Sequence, residues 1–283
     1  MIPILENKDP DAPSVFTADG LLREARRQKR LEEHPVPAVC LLDPDGDIVR
    51  QLAIRGLSTR CPFWACYHTD LHRFTWEGIE IGVVGCAVGA SFAVLVAEEL
   101  FASGCELLIS VTSSGQIAPV QEPPYFILIE KALRDEGTSY HYLSPTEYSH
   151  IPAGLLPVLE ETKNHLDGVL CGAASILCGA TWTTDAPFRE SQAAIDHHRR
   201  AGILAVEMEA AALYAFAQAR QKSVVCVAHV TNQMASIEGD FEKGDADGMQ
   251  DSLQVVAAIG RVWQASASTP DAIKAAFSQS LQK

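Results

Sequence analysis

Short apolar runs recur along the chain at PAVCLLD (37–43), IEIGVVGC (79–86), ELLISVTS (106–113), YFILIE (125–130), GILAVE (202–207) and SVVCVAHVT (223–231). Several are apolar at consecutive positions and not only at alternate ones, as strands covered on both faces must be. Between them the period lengthens. In ASFAVLVAEELFASG (90–104), Phe92, Leu95, Val96 and Leu100 recur near a 3.6-residue period and Gly104 supplies a stop, which predicts a helix. EMEAAALYAFAQARQ (207–221) is rich in strong helix formers and predicts a second helix; DADGMQDSLQVVAAIGRVWQAS (245–266) predicts a third that closes the domain. Strands alternating with helices imply an α/β fold, a three-layer sandwich with helices on both faces of a central sheet.

Length and composition narrow this picture. A chain of 283 residues suits one generous α/β domain or two small ones. No internal repeat or low-complexity linker divides it, so a single domain over 1–283 is expected, with the first dozen residues and the tail after Ser268 standing apart. A hydrophobic content of 47% excludes a largely disordered chain. The formal charge of -14 repels phosphate backbones and anionic headgroups, so neither nucleic acid nor a membrane surface is expected as a partner. A small anion can still bind, because a local nest of N–H groups and one arginine outweigh a distant, screened field.

The cysteines at 40, 61, 66, 86, 105, 171, 178 and 226 fall mostly in apolar runs, where a thiol packs as a small hydrophobe. None forms a CxxC pair, and Cys61 and Cys66 near His68 and His72 match no zinc spacing, so no metal is expected. The start MIPILENKDPDAP is not a basic segment leading into a long apolar run, and no apolar stretch reaches 18 residues. The expectation is a soluble, cytoplasmic protein with reduced thiols.

Four stretches carry candidate chemistry. AVEMEAAALYAFA (205–217) sets Glu207 and Glu209 either side of Met208, where an apolar strand gives way to a helix. If 203–209 are extended, both carboxylates point to one side at the C-terminal end of a strand, the edge where open α/β sheets bind ligands. The competing reading makes them first-turn acids that complement a helix dipole. GVVGCAVGAS (82–91) is a glycine-rich strand-to-helix turn whose N–H groups can face an anion or a sugar hydroxyl, or whose glycines serve only tight packing; it has neither GxGxxG nor a GKS/T ending. ISVTSSGQI (109–117) ends a buried strand in small and hydroxyl residues, as a binding edge or as a plain turn. DPDGDIVR (43–50) opens as a β-turn and carries Arg50 seven residues after Asp43.

Taken in order, GDIVR (46–50), GCAVGAS (85–91), SVTSSGQI (110–117), TDAPFRES (184–191) with Trp182 and Thr183, and VEMEAAALY (206–214) resemble the nucleoside phosphorylase family that includes uridine phosphorylase and hexameric purine nucleoside phosphorylase. VEMEA is the most specific of these, and SVFTADGL (14–21) is a weaker echo; the resemblance spans roughly 14–265. It implies a central mixed sheet flanked by helices and cleavage of a nucleoside N-glycosidic bond by phosphate, through an oxocarbenium-like ribosyl transition state. On that resemblance Glu209 is the catalytic carboxylate that accepts from the ribose 2′- and 3′-hydroxyls, Met208 packs on the sugar, and Glu207 and Thr112 complete the ribose site. Gly46, Arg50, Ser113 and His68 fall on the phosphate side. Phe188 stacks on the base, Arg189 donates to its carbonyl oxygens, and Asn232 meets the ring. No cofactor is implied beyond phosphate as co-substrate. The partners implied are a nucleoside, phosphate and further copies of the chain, in a homo-oligomer between dimer and hexamer.

The chain also departs from the family pattern. Ile48 replaces a proline, Ser110 stands where the phosphorylases have a phosphate-binding arginine, and a second arginine, lent by a neighbouring subunit near Tyr67 and His68, is missing, with His68 or Arg73 as the nearby substitutes. Charge-assisted hydrogen bonds are roughly twice as strong as neutral ones, so these losses weaken phosphate binding. Asn232 stands where the purine enzymes have a proton-donating aspartate; a carboxamide hydrogen-bonds but supplies no proton, which disfavours adenosine and leaves pyrimidines or 6-oxopurines. Thr17 replaces a histidine that reaches the 5′-hydroxyl of an adjoining subunit's substrate. Three activities fit: a nucleoside phosphorylase, a phosphate-independent hydrolase similar to the methylthioadenosine nucleosidases, and a non-catalytic nucleoside-binding protein.

Overall fold

The computed structural model describes residues 3–166, 176–234 and 238–267; Cys171 and the tail after Ser268 lie outside them. All six predicted apolar runs are strands: β1 (Val39–Asp43), β4 (Ile79–Gly85), β5 (Leu107–Gln116), β6 (Tyr125–Asp135), β9 (Ile203–Glu207) and β10 (Ser223–Asn232). β1 is buried at every position, and β5 and β10 at all but one, as the consecutive apolar pattern requires. Four more strands were not anticipated: β2 (Thr59–Arg60), β3 (Leu71–Trp76), β7 (Tyr148–His150) and β8 (Ile176–Thr184). β3 (LHRFTW) mixes charge with apolar residues because it lies toward the outer arm of the sheet, and β8 (ILCGATWTT) ends in hydroxyl residues that the site uses.

The sheet is mixed. β5 pairs with β10 in parallel, β10 with β6 antiparallel, β6 with β8 and β8 with β9 in parallel, and β9 returns antiparallel to β5. These five strands close a ring, which leaves none of them with an open edge. From β5 an arm runs through β1 and β4 to β3 and β2. β5 therefore belongs to both parts: Leu107–Ser110 pair with β1, and Gly115–Gln116 pair with β9.

The flanking helices are α1 (Ala18–Lys29), α2 (Asp47–Ile54), α3 (Ala90–Ala102), α4 (Leu156–Leu166), α5 (Gln192–Arg200), α6 (Ala210–Arg220) and α7 (Met249–Ala267). α3 packs on α1 and α6, while α7 packs on α4 and α2. The stripe predicted on α3 is wider in the structure: Ala93, Val94, Val96, Ala97, Leu100 and Phe101 are buried, whereas Leu95 is 38% exposed. Its alanines allow neighbours to approach on more than one side. α6 is buried at every position from Ala210 to Ala217, so the strong helix formers of this stretch lie within the core. No helix among the described residues is long and apolar enough to cross a membrane.

Candidate active site

β9 stops at Glu207, so the extended stretch expected to reach 209 is two residues shorter, and the two carboxylates separate. Glu207 turns back onto its own junction. One oxygen accepts from the hydroxyls of Thr181 and Thr183, and the other accepts from the backbone N–H groups of Glu209 and Ala210, both at 2.7 Å. It thus satisfies donors that the start of α6 would otherwise leave orphaned. Glu209 holds a different set. Its Oε1 accepts from the Gly89 N–H at 2.7 Å, and its Oε2 from the Thr112 hydroxyl at 2.9 Å and the Met208 N–H at 3.2 Å. The Gly89 amide can aim at it because φ is 88° there, a conformation a side chain rarely permits. Both carboxyls titrate above their ordinary range: burial is the main cause for each, and for Glu209 the neighbouring Glu207 adds to it.

The turn at Asp43–Gly46 leads directly into α2. Gly46 donates to the Asp43 carbonyl at 2.9 Å and has φ 77°, and a Cβ at this glycine would come within 2.6 Å of the Cys86 sulfur. Asp43 Oδ2 accepts from the Val49 N–H at 2.9 Å, and burial pushes this carboxyl up to about 7, with Asp45 and Asp47 adding to the rise. Asp45 reaches across to β5, where its Oδ2 accepts from the Ser113 N–H at 2.9 Å. The Ser113 hydroxyl is 2.7 Å from that of Thr231. Asp47 accepts from both Arg50 and Lys243, and Arg50 also lies 3.4 Å from Asp247. Burial opposes the charge on Lys243, but the Asp47 hydrogen bond and the nearby Asp45 and Asp43 carboxylates hold its pKa above the ordinary value. His229 stacks on Phe126 with ring centroids 4.4 Å apart; burial, and then Lys243, bring it down to about 4, so it is neutral near pH 7. Asp43, Asp45, Asp47, Ser113, His229 and Lys243 are in the lining of a recess of about 20 Å³. That is room for about one water molecule.

Beside the recess, and sharing Ser113 with it, opens a cleft of about 330 Å³, at the lower end of the usual range for small-ligand sites. Its apolar wall is Phe188, Met208, Met234 and Phe241; its polar groups include Asn232 and Glu190. Phe188 is 98% exposed, free to lie against a flat ligand. The Asn232 carboxamide donates to the Ser114 carbonyl at 3.3 Å and accepts from the Met234 N–H at 3.0 Å. Burial pushes the Glu190 carboxyl up to about 7.

A family model described as the Phosphorylase superfamily matches residues 55–261. The chain belongs to the nucleoside phosphorylase superfamily. Membership places it among enzymes of the nucleoside-phosphorylase type. It is 29% identical over 178 residues to a guanosine phosphorylase of Halorubrum lacusprofundi, covering 61% of this chain and 68% of the relative. It is 27% identical over 209 residues to a uridine phosphorylase of Thermococcus kodakarensis, covering 65% and 73%. In fold it is similar to the crystal structure of uridine phosphorylase from Vibrio fischeri, with a TM-score of 0.65 and 20% identity over 83% of this chain and 95% of the other.

Within this superfamily fold, the residues singled out from sequence fall into three groups. Glu209, Thr112 and the Gly89 turn meet at one point. Ser113 touches both the recess and the cleft, while Met208, Phe188 and Asn232 line the cleft alone. The third group has its polar atoms engaged elsewhere or lies apart. Glu207 borders the cleft but spends one oxygen on the Thr181 and Thr183 hydroxyls and the other on the amides of Glu209 and Ala210; Arg189 is exposed and outside the cleft lining; Arg50 is held by Asp47 and Asp247; and His68 is exposed, with its ring edge-on to Phe92 at 6.4 Å. Ser110 is 1% exposed with no hydrogen-bond partner for its hydroxyl. Thr17 caps α1, accepting from the Gly20 N–H at 3.2 Å. Sequence reasoning missed Asp45, Lys243 and Glu190. The first was quoted only as turn chemistry, the last is adjacent to Arg189, and nothing in FEKGDADG marks Lys243.

Proposed function

We propose that this protein cleaves the N-glycosidic bond of a pyrimidine or 6-oxopurine nucleoside with phosphate, giving free base and ribose 1-phosphate. The observation that carries this reading is the buried Glu209 carboxylate, fixed by the Gly89 amide and the Thr112 hydroxyl next to a cleft of nucleobase size. Glu209 Oε1 accepts one hydrogen bond, from the Gly89 amide, and keeps a lone pair for a ribose hydroxyl, and the ionised form of this raised carboxyl opposes the positive charge that develops on the sugar. As the C1′–N bond breaks, the electron pair leaves with the base, an oxygen of hydrogen phosphate bonds to C1′, and the base takes up, through solvent, the proton that hydrogen phosphate loses.

Base choice follows from the cleft's polar groups. Asn232 can donate to a ring carbonyl or nitrogen by exchanging its hydrogen bond to the Ser114 carbonyl or the Thr231 hydroxyl. Glu190, as a carboxylate, can accept the ring N–H that uracil and 6-oxopurines present and that adenine lacks. The names of the guanosine and uridine phosphorylase relatives support the same two base classes. A second reading, hydrolysis, is favoured by one observation: the recess next to the cleft has room for about one water.

The test is a panel of uridine, thymidine, inosine, guanosine, adenosine and methylthioadenosine, incubated with and without phosphate, with base and sugar products separated by chromatography. Release from an oxopurine or pyrimidine nucleoside that phosphate accelerates, with ribose 1-phosphate among the products, is expected. Free ribose as the one sugar product in the presence of phosphate would make the protein a hydrolase, and no cleavage of any member would remove the proposal.

A further inference from the structure

Ser113, which the family resemblance puts on the phosphate side, has its amide taken by the chain's own Asp45. Its Oδ2 accepts the Ser113 N–H at 2.9 Å, while the Ser113 hydroxyl is engaged with Thr231 at 2.7 Å. The surrounding recess carries four carboxylates, those of Asp43, Asp45, Asp47 and Asp247, and Lys243 is the cation in its wall. Lys243 and Arg50 are themselves committed to Asp47. An incoming dianion would meet like charge and occupied donors in a space of about 20 Å³. A water molecule fits that space and finds acceptors and a hydroxyl there.

We propose that Asp45 is the residue that selects the acceptor of the glycosyl group: its carboxylate holds the phosphate-side amide, so phosphate enters only by displacing it, and water competes. The inference rests on the reading of the cleft as a nucleoside site. The two acceptors lead to different products. With water, the C1′–N bond breaks, the water oxygen bonds to C1′, and the departing base takes up the proton that water loses, giving ribose and base. With phosphate, the same bond breaks, an oxygen of hydrogen phosphate bonds to C1′, and the base takes up the proton that hydrogen phosphate loses, giving ribose 1-phosphate and base. Withdrawing the Asp45 side chain frees the Ser113 amide and removes one negative charge, and so shifts the partition toward phosphate.

The experiment is titration calorimetry of the full chain with inorganic phosphate, for the wild type, Asp45→Ala and Asp45→Asn, with product partition measured on a cleaved nucleoside. Asp45→Ala is expected to bind phosphate at least about tenfold more tightly than the wild type and to raise the share of ribose 1-phosphate. Equal or weaker binding overturns the assignment and leaves Asp45 as a loop-positioning residue. If the alanine variant does not fold, Asp45→Asn keeps the shape and removes the charge; tighter binding is again expected, and an unchanged constant counts against the proposal. Calorimetry needs no turnover. Tighter phosphate binding without cleavage of any nucleoside would sink the activity and spare the role of Asp45, and cleavage with unaltered phosphate binding would do the reverse.

Discussion

Glu209 combines burial with three short-range donors, so its carboxyl is held at a fixed position, while burial and then Glu207 raise its titration above the ordinary range. If its ionised form stabilises a ribosyl cation, Glu209→Gln keeps the shape and loses the charge. We expect kcat/KM to fall by the equivalent of about 2–4 kcal/mol, as for loss of one preorganised group facing developing charge. Steady-state kinetics on the best nucleoside checks this, and unchanged turnover would take Glu209 out of the site. This residue was legible because a carboxylate pair around a methionine at a strand-to-helix junction is unusual and resembles a family motif. Asp45 and Lys243 were not. Their meeting with Ser113 and Asp47 depends on segments 68 and 196 residues apart coming together, which no local pattern encodes.

At the scale of elements, the β9–α6 junction explains why two neighbouring glutamates do different work. Glu207 ends a strand, so its side chain reaches the first amides of the next helix, and Thr181 and Thr183 of β8 fix its other oxygen. Glu207→Ala leaves two amides and two hydroxyls without this acceptor. We expect a loss of about 2–4 kcal/mol in stability, from unsatisfied buried groups and the vacated volume, read as a lower Tm in thermal denaturation. A Tm within a degree of the wild type would mean that water or a neighbour replaces the carboxylate. Strands buried on both faces were legible as apolar runs. β8 was missed because its half nearest the site is built of Thr181, Thr183 and Thr184, chosen for hydrogen bonding more than for apolar burial. The start of α6 was placed three residues early, since propensity alone does not register that Glu207 belongs to the strand and acts as the cap.

For the whole molecule, several buried carboxyls share one direction of shift. Asp43 and Glu190 are raised to about 7 by burial, and Glu207 and Glu209 are raised by the same cause. A carboxyl whose pKa is higher folded than unfolded binds its proton more tightly in the native state. Its contribution to stability is therefore full below the unfolded value, near 4, and is lost as pH rises through the folded one. We expect Tm to be higher near pH 5.5 than near pH 8.5, falling as pH rises to about 7 and levelling off above the folded pKa values, as measured by calorimetric scans in matched ionic strength. A Tm that rises over this interval would contradict these shifts. The α/β class was readable from the alternation of strands and helices. The closed ring was not, because closure depends on which strands pair and not on which residues form strands.

That ring gives β5 a demand beyond holding the sheet together. Thr112 faces the Glu209 carboxyl and Ser113 faces Asp45 and the recess, and they are adjacent residues of one strand whose neighbours are set by β1, β10 and β9. Side chains alternate across a strand, so a slip of one residue would exchange the two positions and turn each hydroxyl to the wrong side. Three partner strands act together as a vernier that sets the distance between the Glu209 carboxyl and the recess; on the proposed function, fidelity of strand pairing and fidelity of substrate placement are one property.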